Sequence, residues 1–397
     1  MSVRSCFLEP LDVLFLRGNR LFGDPGSYGE ALVPPWPSVA AGAIRSHLLV
    51  SDGLDPGAFA RGECEHPALG HRDRPGAFAV VGFHLARRDG RGRIETLWPV
   101  PADLVVKEER GSRRVAWARP VKLAESLRSS LRLPLHPVLA EAERSKPAKG
   151  LWLREEGWRR YLDGDSPEPE HLVESSRLWK LELRVGVGLD PARRAAGDGR
   201  LFTVQAVSLA RRDAGGESDT GFDAGFLVRV AGLTGPLPPG TVRFGADGRA
   251  ARLFPIDSLP KLPEADQRLI ARDRRARLVL TSPGIFPGGW LPPGCGGDPR
   301  ADGAIRFALG GVSGWLVSAA VPRLEVISGW DLARWRPKAA ERAVPAGAVY
   351  WLELDEGVAE DGLAALAAQG LWSEPCEDPL RRAEGYNRFA WARWRIA

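Results

Sequence analysis

Apolar and polar positions alternate along many short stretches of the chain, while helical spacing recurs in only a few. Residues 3–16 (VRSCFLEPLDVLFL) predict a strand broken at Pro10. Leu11, Val13 and Phe15 alternate with Asp12, Leu14 and Leu16, so both faces are mostly apolar and the strand is expected to be central. Residues 39–50 predict a helix in which Ala40, Ile44 and Leu48 form one stripe and Arg45 points away from it. Pro37 cannot continue a helix from upstream, and Ser38 is placed to cap it. Phe78–Arg87 and Arg93–Trp98 flank an Asp-Gly turn and predict a hairpin. Strand, helix and hairpin in that order match the first half of a βαββαβ unit.

Residues 107–180 predict an insertion, charged and interrupted by Pro134, Pro137, Pro147, Pro167 and Pro169, with a helix at Leu151–Leu162. Beyond it, Leu181, Leu183, Val185 and Val187 alternate strictly with Glu182, Arg184, Gly186 and Gly188. The expectation is that the apolar face is buried, leaving the glycine face open to a ligand or another backbone. Leu201–Leu209 is the partner strand. The connection, Leu189–Arg200, is too long for a tight turn and carries Arg193, Arg194 and Arg200; it reads as a mobile finger on RNA or as a solvated loop. The polar stretch 212–221 is a plausible boundary. The expected division is therefore 1–220, with the insertion near 107–180 and the finger hairpin near 181–209, followed by 221–397.

In the C-terminal part, Thr241–Phe244 with Ala250–Phe254 predict a hairpin, and Arg277–Thr281, Leu316–Val326, Val349–Leu354 and Tyr386–Ile396 predict strands. A helix over 357–369 should stop at Gly370. Trp290, Trp330, Trp391 and Trp394 could stack bases, but core or interface packing is the favoured reading for each.

Composition changes this picture in one respect. Gly and Pro make up about a fifth of the 397 residues, consistent with many turns in a folded chain. Seven Lys leave 48 of the 55 basic residues as Arg, whose planar fork suits phosphate and whose face stacks on rings. A GC-rich genome would produce the same bias, and runs such as Arg87–Arg93 and Arg272–Arg277 carry no other sign of function. A net charge of +5 permits a nucleic-acid partner without demanding one. The four Cys form no C-x-x-C pair, and no targeting pattern or membrane-length apolar run is present, so the expectation is a cytoplasmic protein with no membrane partner, no metal and no cofactor.

The loop Arg17-Gly18-Asn19-Arg20 lies between the first strand and the start of the helix, where free N–H groups and the helix dipole favour anions. It is not a P-loop, since G-x-x-x-x-G-K-[ST] is missing. No catalytic constellation is readable. The best general-base candidate is His47, on the helix near the basic loop.

The run Leu11–Phe22 followed by Pro34–Arg45 resembles the start of a CRISPR RAMP protein. It is most similar to the type III-B (Cmr) subunit that caps the 5′ end of the guide RNA. Leu97–Leu104, Glu182–Val187, Gly199–Phe202, Thr281–Phe286, Ile327–Asp331 and Val344–Tyr350 continue the resemblance in order. It implies an α+β fold of two ferredoxin-like (RRM-like) domains with Gly-rich loops. It implies a noncatalytic subunit that holds the crRNA 5′ handle, beside a large polymerase-like Cmr subunit and a backbone RAMP subunit, with the finger reaching target RNA near the guide 5′ end. The aromatic signature of an RRM is lacking, so loops rather than a sheet face are expected to grip RNA. The RNA-binding residues so expected are Arg17, Gly18, Asn19, Arg20, Ser38, Arg45, Arg184, Gly186, Arg193, Arg194, Arg200, Gly329, Trp330, Lys338 and Arg342. The alternatives are a RAMP-type endoribonuclease that processes precursor crRNA, with His47 as base, and an adaptor without RNA contact.

Overall fold

Pro10 closes the first strand, Val3–Pro10, because it has no N–H to offer a neighbour. The strand is central, as its apolar faces require: it pairs antiparallel with Phe222–Ala231 on one side and with Ala250–Ile256 on the other. Cys6, Phe7 and Leu8 are fully buried. Ala79–Asp89 adds beyond Phe222–Ala231 and turns into Ile94–Pro99. The Asp89 carboxylate holds that turn by accepting from the N–H groups of Arg91 and Arg93, each at 2.9 Å. The computed structural model describes residues 2–18, 28–109, 111–124, 126–127, 129–141, 146–190, 192–212, 221–257, 261–331 and 333–395, with only the backbone of 109 and 197–200.

Strands outnumber helices throughout, and the fold is α+β. Two compact units form. One comprises Met1–Thr96, Ser175–Leu259 and Val326–Glu341; the other comprises Leu97–Glu174, Pro260–Glu325 and Arg342–Ala397. The division is by contact, not by order along the chain. Phe222–Ala231, which follows the boundary expected near 220, is hydrogen-bonded between Val3–Pro10 and Ala79–Asp89.

In the first unit, the helix Pro37–Ser51 packs on Ala79–Asp89 and buries Ala40, Ile44 and Leu48, as its stripe predicts. Its start differs from the expectation. Pro37 occupies the first helical position, where a missing N–H costs nothing, so Ser38 lies inside the first turn and Trp36 precedes the helix.

The second unit repeats the pattern of a central strand. Arg275–Leu280 pairs antiparallel with Val349–Leu354 and Phe389–Arg393, and Val312–Ala320 adds beyond Val349–Leu354. Helix Glu360–Gln369 buries Leu363 and Leu366 and ends at Gly370, whose φ is +81°. Trp391 is core: its indole N–H donates to the Leu363 carbonyl at 2.9 Å.

The stretch 107–180 is more regular than its prolines suggest. Leu104–Glu109, Ser112–Val121 and His136–Leu139 form a three-stranded sheet. The predicted helix begins at Glu155, not Leu151, because Leu151, Trp152 and Leu153 are all buried and form a short strand instead. Among the described residues, no helix is long and apolar enough to cross a membrane.

A candidate nucleic-acid interface

The longest strand pair in the first unit is Trp179–Asp190 with Ala195–Leu209. Pairing runs from Trp179↔Leu209 to Val187↔Leu201, shifts, and resumes at Leu189↔Ala196 and Asp190↔Ala195. The connection expected over Leu189–Arg200 is thus mostly strand, and the shift takes up the length that made it look like a loop. Asp190 organises the turn. Its carboxylate accepts from the N–H groups of Ala192 at 2.9 Å and Arg193 at 3.3 Å, and its carbonyl accepts from Arg194 at 2.8 Å. Arg193 and Arg194 stand exposed at this tip.

The faces of this ribbon are the reverse of the expectation. The apolar row is exposed, with Leu183 at 66%, Val185 at 69% and Leu201 at 59%. A two-stranded ribbon can pack only one face on a core. Here the packed face belongs to Val204 and Ala206, which meet Val13 and Phe15. Strict register puts Glu182, Arg184 and Gly186 on that same side. The glycine is not open to a ligand, because the ring of its cross-strand partner Phe202 covers it. A Cβ at Gly186 would come within 2.4 Å of Phe202 Cζ. Arg184 donates to Glu182 at 2.7 Å.

The base of the ribbon meets the basic loop. Leu14 and Val207 exchange backbone hydrogen bonds of 2.8 Å each way. Tyr28–Gly29 runs parallel to Thr203–Val204, and the Ala31 N–H donates to Gln205 Oε1 at 2.9 Å. Arg17 bridges to Ala31 and pairs with Asp247 at 3.7 Å. The structure therefore brings Arg17, Gly18, Arg184, Gly186, Arg193 and Arg194 onto one loop-and-ribbon assembly. Asn19, Arg20 and the Arg200 side chain lie outside the described residues.

The remaining expected residues are elsewhere. Arg45 lies with its guanidinium 5.5 Å from the centre of the Phe78 ring, on the same helix as Ser38. Gly329, Trp330 and Lys338 belong to a separate small hairpin, where the Lys338 N–H donates to the Gly329 carbonyl at 2.9 Å. Arg342 is an exposed residue of the second unit. His47 Nε2 donates to the Pro238 carbonyl at 2.9 Å. Among the described residues, no three His, Cys, Asp or Glu side chains come together as a metal-ligating group. Two features escaped the sequence reading: the exposure of the apolar row, and Trp335, whose only sequence signal is a second Trp inside an Arg-Trp-Arg turn.

The family model for CRISPR-associated protein (Cas_Cmr3) matches residues 6–394. The chain belongs to this family. It is a Cmr-type subunit by that membership. A chain in the cryo-EM structure of the Type III-B Cmr-beta bound to cognate target RNA and AMPPnP, state 1, is 12% identical with a TM-score of 0.47, covering 97% of this chain and 95% of that one. A second, from Cmr-beta bound to cognate target RNA, is 12% identical with a TM-score of 0.44, covering 87% and 86%. No curated protein matches the chain.

Within the Cas_Cmr3 match, several segments that carried the resemblance act as scaffold. In Thr281–Phe286, the Ile285 N–H donates to Asn387 Oδ1 at 2.7 Å, and Asn387 Nδ2 returns a bond to the Ile285 carbonyl at 3.2 Å. Gly284 and Val344 exchange backbone bonds of 2.8 Å. In Leu97–Leu104, Asp103 is fully buried and paired with Arg277.

Proposed function

We propose that the chain is a noncatalytic RNA-binding subunit of a type III-B CRISPR effector complex. In this reading it caps the 5′ handle of the crRNA and bridges the large polymerase-like subunit to the backbone RAMP. The observation that carries the reading is the ribbon: a basic tip and an exposed apolar row, fastened at its base to the loop that bears Arg17. Cations at the loop and tip suit phosphates, and the apolar row suits the end of a guide–target duplex. The strand order supports two ferredoxin-like domains. Numbered along the chain, four adjacent strands in the main sheet of each unit lie in the order 4-1-3-2, all antiparallel.

The test is binding of handle RNA across a salt series. The double variant Arg17→Glu, Arg184→Glu should bind more weakly, and its salt slope should flatten by about one for each phosphate it no longer neutralises. Unchanged affinity and slope would overturn the assignment. The noncatalytic reading predicts that labelled repeat RNA stays intact with the purified chain in the absence of metal. Specific cutting that disappears in His47→Ala would establish the nuclease reading instead.

A further inference from the structure

The first unit holds a second, smaller hairpin, in which Trp330–Asp331 pairs with Arg336–Pro337. Its two indoles are unlike most tryptophans. Trp335 is 74% exposed and Trp330 is 50% exposed, whereas Trp98, Trp351 and Trp372 are buried. Their ring centres stand 6.0 Å apart at 85°, an edge-to-face pair in which one ring braces the other and leaves ring faces open.

The hairpin is built to hold this pair. The Asp331 carboxylate accepts from the N–H groups of Ala333 at 3.0 Å and Arg334 at 3.2 Å. Ser328 Oγ donates to the Lys338 carbonyl at 2.8 Å. Arg334 reaches across to Asp73 of the same unit at 3.3 Å, which anchors the hairpin to the unit's body. Trp335 has a φ of +50°, a left-handed conformation that glycine or asparagine would adopt more cheaply. Backbone strain of this kind, carried by an exposed indole, points to a role for the ring itself. Arg336 and Lys338 flank the rings, and Asp331, the carboxylate within the hairpin, is engaged by the turn.

We propose that Trp335, braced by Trp330, is a stacking platform for an unpaired nucleobase of bound RNA, with Arg336 and Lys338 meeting the adjoining phosphates. Every base has a π-face, so the platform is tolerant of sequence, and the charge flanking the rings favours a nucleic acid over an apolar protein surface. This rests on the RNA-binding reading above and adds to it a contact with bases, as distinct from phosphates.

The test uses the purified full chain and labelled single-stranded RNA, read by anisotropy. Trp335→Ala should weaken binding about tenfold, and Trp335→Phe should retain most of the affinity. On RNA of the same length with abasic sites, wild type and Trp335→Ala should bind alike. If Trp335→Ala binds base-bearing RNA as wild type does while the Arg17→Glu, Arg184→Glu variant loses affinity, the platform is overturned and the RNA-binding reading stands. If Trp335→Ala leaves RNA affinity intact but blocks assembly with another subunit, the surface belongs to a protein partner and the platform is overturned. If the wild-type chain binds no RNA, both fall.

Discussion

Arg277 and Arg184 both sit on strands beside aliphatic residues, yet the protein treats them in opposite ways. Arg277, in Arg275–Leu280, is 2% exposed, and each of its three guanidinium nitrogens donates a hydrogen bond. Nη1 donates to Asp103 at 2.8 Å, Nη2 to the Tyr161 carbonyl at 2.7 Å and Nε to the Arg393 carbonyl at 3.0 Å. Its guanidinium lies 4.7 Å from the centre of the Trp117 ring and 4.3 Å from that of Tyr161, beside the stacked pair these two rings form. Burial pushes the Asp103 carboxyl up, and Arg277 and the donating Tyr161 hydroxyl pull it back. Arg184, in the ribbon, is exposed and makes one ion pair, with Glu182. The aliphatic neighbours divide the same way, for Leu278 and Val279 are fully buried while Leu183 and Val185 face outward. A charge taken out of water must find partners inside the fold, and the bonds and ring contacts of Arg277 tie five segments of the second unit together. A charge left in water imposes no such order and stays available to a ligand.

The largest expected effect breaks the buried half of this comparison. Arg277→Ala leaves Asp103 as an uncompensated buried charge and should cost about 3–5 kcal/mol in denaturant unfolding. Arg184→Ala should cost well under about 1 kcal/mol, the scale of an exposed pair. A double replacement of Arg277 and Asp103 by Met and Leu should recover much of the loss, because no charge is left stranded. Equal costs for the two alanine variants would show that the contrast in burial has no energetic content.

The next effect is a pH dependence. His84 lies in Ala79–Asp89, and burial, helped by nearby Arg229, pushes its imidazole down to about 4. The unfolded chain takes up that proton near pH ~6.5, whereas the folded chain resists it down to about pH 4. Stability is therefore held above pH ~6.5 and falls as the pH drops through that window, by about 3 kcal/mol in all. His84→Leu should remove this part of the slope in unfolding measured between pH 7 and 4. A slope that survives the substitution would assign it to the carboxylates.

What could be read in advance was local. Pro10, the Ala40–Ile44–Leu48 stripe, the Asp89 turn and the Gly370 stop each depend on a few neighbouring residues, and each stands where the sequence placed it. The bland view of the Arg runs also fits. Arg87 pairs with Glu95 at 2.6 Å, Arg272 with Asp273 at 2.8 Å, and Arg277 is sealed in the core. What could not be read depends on distant partners. Period-two alternation says that a strand has two unlike faces, but not which face finds a core. The ribbon's packed side is decided by Val13 and Phe15, and Val13 is 191 positions away in sequence from Val204. Alternation alone leaves the glycine face a gap, because its cover, Phe202, comes from the other strand. The Arg-Trp-Arg context of Trp335 does not by itself distinguish an exposed indole from a core one.

The smallest expected effect sharpens the exposed half. In the ribbon, Leu183→Thr with Val185→Thr keeps β-branched or strand-compatible side chains and removes only apolar surface that already faces water. Unfolding free energy should change by no more than about 0.5 kcal/mol, the ordinary scale for surface substitutions. The single change Leu278→Ala, on a strand of similar aliphatic content, should cost about 2–5 kcal/mol, since it opens a cavity in a packed core. The pair of measurements separates two meanings of an apolar strand, one that holds the fold and one that the fold leaves uncovered. If the threonine variant is destabilised as strongly as Leu278→Ala, the row is packed within the chain, and the ribbon loses the exposed face on which the proposed duplex contact depends.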